Sequence, residues 1–188
     1  DKDGNVIVVK QSHSSASSLL FRKEARLLNT LSHQNIVKFL GYNENEQSFF
    51  LEFMQFKFDF LNIEHPPVHN LAQLLGALDD SMESGFDHLH FFILRDIICG
   101  LKFLHTGDVV HRDLKASNIL VSNQHFDLSQ HQNFLWSTHP IVAKITDFGE
   151  SRSRMIQTRD LTETSTAGVN RGSPVYQAPE GLLEAIEK

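Results

Sequence analysis

A chain of 188 residues is of single-domain size, and its 40% hydrophobic and 21% charged content is that of a soluble globular protein. A net charge of −6 argues against a general nucleic-acid or membrane-surface binder. The single cysteine, Cys99, excludes an internal disulfide and suits a reducing compartment, and no apolar run reaches transmembrane length. The opening Asp1-Lys2-Asp3-Gly4 is neither methionine-led nor a signal peptide, which reads as an internal segment or a processed chain.

In chain order, Val6 to Lys10 predicts a strand after a turn at Asp3-Gly4, with Val6, Val8 and Lys10 on one face. A serine-rich loop leads to a predicted helix from about Ser18 to Ser32. Ile36 to Leu40 and Phe49 to Phe53 read as strands joined through Gly41-Tyr42-Asn43-Glu44-Asn45. Phe56 to Gly85 is mixed, with a Phe56/Phe58/Phe60 alternation read as packing on the lower lobe in preference to a partner-docking ridge, a Pro66-Pro67 break, a helical piece near Leu71 to Leu78 and a loop at Ser81 to Gly85. A strong helix follows from about Phe91 to His105 with an apolar stripe of Phe91, Leu94, Ile97, Ile98, Leu101 and Leu104, stopped by Gly107. Asn118 to Val121 and Ile141 to Ile145 are strand-like, and the polar Ser122 to Pro140 between them reads as a solvated loop insertion. Its His125, His131, His139 and Trp136 match no standard zinc spacing. From Ser151 to Gly172 the chain is rich in Ser, Thr and Arg with little periodicity, the pattern of a mobile loop.

On the first helix the apolar stripe is Leu20, Leu27, Leu28 and Leu31, and Glu24 falls in its middle. A carboxylate on an apolar face is costly unless a cation meets it, and Lys10 at the end of the first strand is the natural partner. Taken alone, the two residues read more readily as a solvated strand end and the edge of a stripe.

Three later motifs change that balance. His111-Arg112-Asp113-Leu114-Lys115-Ala116-Ser117-Asn118 is followed by Asp147-Phe148-Gly149 and then by Ala178-Pro179-Glu180. In this order they resemble the catalytic loop, the metal-binding loop and the end of the activation segment of eukaryotic protein kinases. The resemblance implies an α+β, two-lobed kinase fold with a small β-rich lobe and a mainly helical lobe, here incomplete. Residues 1–54 would be the small lobe, lacking the glycine-rich loop and, beyond Leu51-Glu52-Phe53-Met54, the hinge. Residues 55–188 would run through the activation segment, with later helices missing, so the chain reads as a kinase domain cut at both ends.

The resemblance also implies roles. Asp113 would be the catalytic base, and Lys115 would neutralise charge on the transferred group and mark a serine/threonine enzyme in preference to the alternative of a tyrosine or dual-specificity one. Lys10, held by Glu24, would meet the nucleotide phosphates, while Asn118 and Asp147 would hold magnesium. Leu51 would be the gatekeeper, Glu52 and Met54 would present hinge backbone to adenine, and Leu120 would floor the ring with Val8 above it. Leu28, His111 and Phe148 would stack into one internal column. Gly172-Ser173-Pro174-Val175-Tyr176 would lie beneath the substrate hydroxyl, with Ser173 where threonine is usual. Arg112 would be paired by a phosphate on Thr162, Thr164, Ser165 or Thr166, although Val169 stands where relatives carry the acceptor. ATP, Mg2+, a protein substrate, an upstream kinase and a cytoplasmic location follow as expectations, with no nucleic acid and no membrane segment. The rival reading is a pseudokinase scaffold or an inactive fragment.

Overall fold

The computed structural model of the chain describes residues 6–12, 18–61, 63–81, 86–127, 132–153, 173 and 176. An antiparallel sheet of order β1-β3-β2 is formed by β1 (Ile7–Gln11), β2 (Phe39–Asn43) and β3 (Ser48–Glu52), with α1 (Ser18–Thr30) between β1 and β2 in the chain. The mostly helical remainder holds α2 (Leu71–Ser81), α3 (Asp87–Thr106) and α4 (Gln132–Thr138). It also holds two ribbons, β4 (Val109–Val110) with β7 (Arg152–Ser153) and β5 (Ile119–Ser122) with β6 (Val142–Ile145). No described helix is long and apolar enough to cross a membrane. The predicted turn at Asp3-Gly4, the serine-rich loop before α1, most of the Ser81 to Gly85 loop and nearly all of Ser151 to Gly172 lie outside the described residues.

The register of β1 on β3 places Val8 opposite Leu51 and Lys10 opposite Phe49. Opposite residues of an antiparallel pair share a face, so Val8, Lys10, Phe49 and Leu51 lie together. On α1 the buried face is Phe21, Glu24, Ala25, Leu27 and Leu28, so Glu24 does sit among apolar neighbours. Leu20, expected on that stripe, is 50% exposed, because the face turned to the sheet is centred one position later, on Phe21.

Several boundaries move. Ile36 and Val37 are buried but do not extend a hairpin strand; the Val37 N–H donates to the Ile145 carbonyl at 3.0 Å and forms a bridge to the second part of the molecule. Gly41 to Asn43, expected as the connection, continue β2 past a bulge between Phe39 and Gly41. The turn falls at Glu44 to Gln47, where the Asn43 carboxamide accepts the N–H groups of Asn45 and Glu46 at 3.1 and 3.3 Å.

Of the stripe predicted on α3, Leu104 is buried and Ile97 and Leu101 pack against the core, but the other half faces out. Leu89, Ile93, Asp96, Gly100 and Leu104 are buried, while Phe91, Leu94 and Ile98 are exposed. The helix is apolar on more than one face, and polar anchoring selects which face docks. The Ala143 N–H donates to Asp96 Oδ2 at 3.0 Å, and Gly100 lets Asn35 and Ile145 approach.

The described residues of Ser122 to Pro140 are anchored as well as solvated, although α4 itself buries no residue. A short 3-10 turn at Gln124–Phe126 buries Phe126, and α4 presents Trp136 to Phe60 at 5.0 Å and to His88 at 4.7 Å between ring centroids. Phe56 and Phe58 are fully enclosed beside this layer, so the phenylalanine alternation is packing, as read from the sequence. Asn123 acts as a surrogate strand, its carboxamide accepting from the Lys57 N–H at 2.9 Å and donating to the Lys57 carbonyl at 2.8 Å. His125 donates through Nε2 to the His139 carbonyl at 2.8 Å. His131 lies outside the described residues, among which no cluster of three or more His, Cys, Asp or Glu could hold a metal ion.

Candidate active site

Lys10 leaves β1 toward α1 and meets Glu24 at 2.7 and 2.9 Å and Asp147 Oδ1 at 3.1 Å. Burial lowers the Lys10 pKa, but Glu24 and then Asp147 outweigh it and hold the ammonium above its ordinary value. Burial pushes the Glu24 carboxyl upward further than Lys10 pulls it back, and the Phe148 N–H also donates to it. Desolvation is the largest influence on both groups, but only on Glu24, 5% exposed against 40% for Lys10, does it outweigh the attraction of the partner.

The second cluster hangs on the turn after β4. Arg112 at φ 71° and Asp147 at φ 63° hold left-handed backbone, a strain that non-glycine residues keep only where the surroundings enforce it. His111 is one enforcing group: its Nε2 donates to the Thr146 carbonyl at 2.8 Å, its Nδ1 accepts the Asp113 N–H at 3.3 Å, and its ring meets Phe148 edge-on at 5.0 Å. Leu28 and Phe148 belong to one continuous buried core.

Asp113 Oδ2 meets Lys115 Nζ at 2.7 Å, and its Oδ1 accepts the Ser173 N–H and hydroxyl at 2.8 and 3.0 Å. Burial pushes the Asp113 carboxyl up, but the hydrogen bonds from Lys115 and Ser173 prevail and keep it below the usual carboxylate value. Lys115 is raised by that same bond to Asp113. Ser173 Oγ accepts from Lys115 Nζ at 2.7 Å while donating to Asp113, so one hydroxyl closes a three-membered ring of contacts. The sequence placed Ser173 near the substrate hydroxyl but not in this contact.

Asn118 is buried, and its amide nitrogen donates to the Asp113 carbonyl and carboxylate at 2.9 and 3.1 Å. Those bonds use the amide nitrogen, so Oδ1 is the atom of this side chain that would meet a metal. The Thr146 N–H donates to the Asn118 carbonyl at 3.0 Å, which sets the two metal-binding candidates, Asn118 and Asp147, on adjoining chain segments. Two oxygen donors leave most of a magnesium ion's positions for phosphate oxygens and water, the usual arrangement in nucleotide sites, so the donor set fits.

Of the adenine candidates, Leu51 and Met54 are buried and Leu120 half-buried. The Met54 carbonyl already accepts from His69 Nδ1 at 2.9 Å. The Glu52 side chain turns to Lys144, at 2.7 and 2.9 Å, a partner the sequence reading missed. No motif marks Lys144; the contact arises where β6 lies beside the end of β3. Thr162, Thr164, Ser165, Thr166, Val169 and Ala178-Pro179-Glu180 lie outside the described residues.

A small antiparallel sheet whose lysine is held by a helix glutamate, facing a loop that carries Asp113, Lys115 and Asn118, defines a two-lobed domain of the kinase kind. The description "Protein kinase domain" matches residues 1–187, and the chain belongs to that family. It is 29% identical to Mitogen-activated protein kinase kinase kinase 2 of Arabidopsis thaliana, over 86% of this chain and 20% of that protein. It is 30% identical to Serine/threonine-protein kinase ULK1 of Homo sapiens, over 97% of this chain and 15% of that one. With the Calcium/calmodulin-dependent protein kinase kinase of Caenorhabditis elegans it shares 32%, over 88% and 24%. The chain thus spans about a fifth of the length of such relatives.

Proposed function

We propose that the protein transfers the γ-phosphoryl group of ATP to serine or threonine hydroxyls of protein substrates, in signalling. The observation that carries this reading is the junction of the Lys10–Glu24–Asp147 and Asp113–Lys115–Asn118–Ser173 clusters through Thr146 and Asn118. Asp113, kept ionised by its donors, orients the acceptor hydroxyl and takes its proton as the oxygen–phosphorus bond forms. Lys115 neutralises charge growing on the phosphoryl oxygens. Lys10, fixed by Glu24, meets the inner phosphates of the nucleotide. Asn118 and Asp147 would hold magnesium, which supplies charge neutralisation on the phosphates. Leu51, the Glu52 and Met54 backbone, and Leu120 would hold adenine.

The named relatives and Lys115 support a serine/threonine acceptor, and the single cysteine supports a cytoplasmic location. Arg112, beside Asp113, supports control by an upstream kinase.

The test is transfer of labelled phosphate from ATP to a generic protein substrate by the full-length protein. Asp113→Asn should lower kcat by about a hundredfold or more while leaving nucleotide uptake in place. Equal turnover by the parent and Asp113→Asn would remove Asp113 from the chemistry and with it this reading.

A further inference from the structure

We propose that Lys144 is a positioning residue for the nucleotide: its ion pair with Glu52 fixes the hinge strand against the floor of the adenine slot. This rests on the nucleotide-site reading above. Lys144 Nζ reaches both oxygens of Glu52, at 2.7 and 2.9 Å, with the two side chains only 17% and 23% exposed. Glu52 Oε1 also accepts the Lys38 N–H at 2.6 Å, and the Glu52 N–H donates to the Lys38 carbonyl at 3.0 Å. The carboxylate therefore joins three separate segments: the end of β3, the stretch before β2, and the middle of β6.

Location gives the contact its consequence. Glu52 follows Leu51, the gatekeeper candidate, and begins the hinge candidate that runs to Met54. Lys144 lies directly opposite Leu120, the floor candidate, on the β5–β6 ribbon, so the two share a face. One half-buried pair thus ties the segment beside the adenine edge to the strand pair beneath the ring. Two and three residues beyond Lys144, just past the end of β6, come Thr146 and Asp147, so the same strand also leads to the phosphate end of the site. A chelated, partly desolvated pair with an added backbone donor resists displacement far better than an exposed ion pair. The molecule that shows this staple also shows Lys10 paired with Glu24 and with Asp147, so the staple belongs to the arrangement with the phosphate-binding groups assembled. Its role is preorganisation, which is felt in nucleotide affinity more than in the transfer step.

The experiment uses the full-length protein with Lys144→Met, which keeps the aliphatic stem, Glu52→Gln, the double variant and the charge swap Glu52→Lys with Lys144→Glu. In the parent, transfer that depends on Asp113 secures the site reading independently. Each single variant should raise the ATP KM about fivefold with kcat within about twofold. The double should be no worse than either single, and the swap should recover part of the loss. An unchanged KM in Lys144→Met, or a lower KM or faster turnover, overturns the proposal. A second readout needs no activity: amide hydrogen exchange at Lys38 and from Glu52 to Met54 should speed up about tenfold in Lys144→Met, with α3 around Ile93 and Leu104 unaffected. Equal exchange at those hinge amides overturns it also, whether or not the parent transfers phosphate.

Discussion

Replacing Lys10 by methionine leaves Glu24, 5% exposed, without its cation. The acid then has two options in the folded chain: stay ionised in an apolar setting, or take up a proton. Protonation caps the cost. Glu24 titrates near 4.5 when unperturbed, and each unit above that costs about 1.4 kcal/mol, so the cap is about 4 kcal/mol near pH 7.5 and about 1.4 kcal/mol near pH 5.5. Lys10 is 40% exposed, so water enters the space it vacates, and the realised loss at the higher pH falls to about 2 kcal/mol. The sign follows from burial, which raises the folded pKa above the unfolded one. The folded variant then binds the extra proton between those two values, and its stability declines as pH rises through that window. Urea denaturation of the parent and Lys10→Met at about pH 5.5 and 7.5 measures the difference. The penalty should be clearly larger at the higher pH, and adding Glu24→Gln to Lys10→Met should abolish that dependence. A penalty equal at both values, or untouched by Glu24→Gln, would show that Glu24 does not depend on Lys10 for its charge.

Two further outcomes follow from the packing. A Cβ on Gly100 would meet the Asn35 carbonyl oxygen at 2.9 Å and Ile145 Cδ1 at 3.0 Å, whereas one on Gly76 of α2 meets nothing within 4 Å. Gly100→Ala should therefore cost about 1–3 kcal/mol, and Gly76→Ala should gain about 0.5–1 kcal/mol from helix propensity, a difference in sign readable as opposite shifts in Tm. Burial holds the His111 imidazole below its ordinary value of 6.5 despite the Thr146 carbonyl. The unfolded chain thus protonates first on acidification, and the contribution present above about pH 6.5 is lost as pH falls toward the folded value. His111→Phe should lower stability at neutral pH yet flatten the decline toward about pH 5, which denaturation midpoints at the two values would show.

The candidate site was largely legible in the sequence because its groups lie in short motifs whose local spacing is their geometry. Asp113, Lys115 and Asn118 fall within six consecutive residues, and Glu24, ambiguous by itself on an apolar helix face, gained its reading from those later motifs. What the sequence withheld depends on long-range docking. Asp96 and Gly100 choose the buried face of α3 only because Asn35 and Ala143 wait for them, and no period within the helix carries that information. Lys144 belongs to no motif, and its contact with Glu52 joins strands of two different sheets. The Ser122 to Pro140 stretch read as solvated because its polar residues outnumber Phe126 and Trp136, yet those two rings decide where it lies.

The outer side of β6 has a consequence for solubility. Ala143 offers its N–H to Asp96 and its carbonyl to the Asn35 carboxamide at 3.1 Å, and Ile145 exchanges both backbone groups with Asn35 and Val37. A two-stranded ribbon would ordinarily invite an intruding strand from another molecule. Here side chains and a passing loop have consumed the polar groups of Ala143 and Ile145 that such an intruder would need, and the ribbon resists recruitment into aggregates along that border.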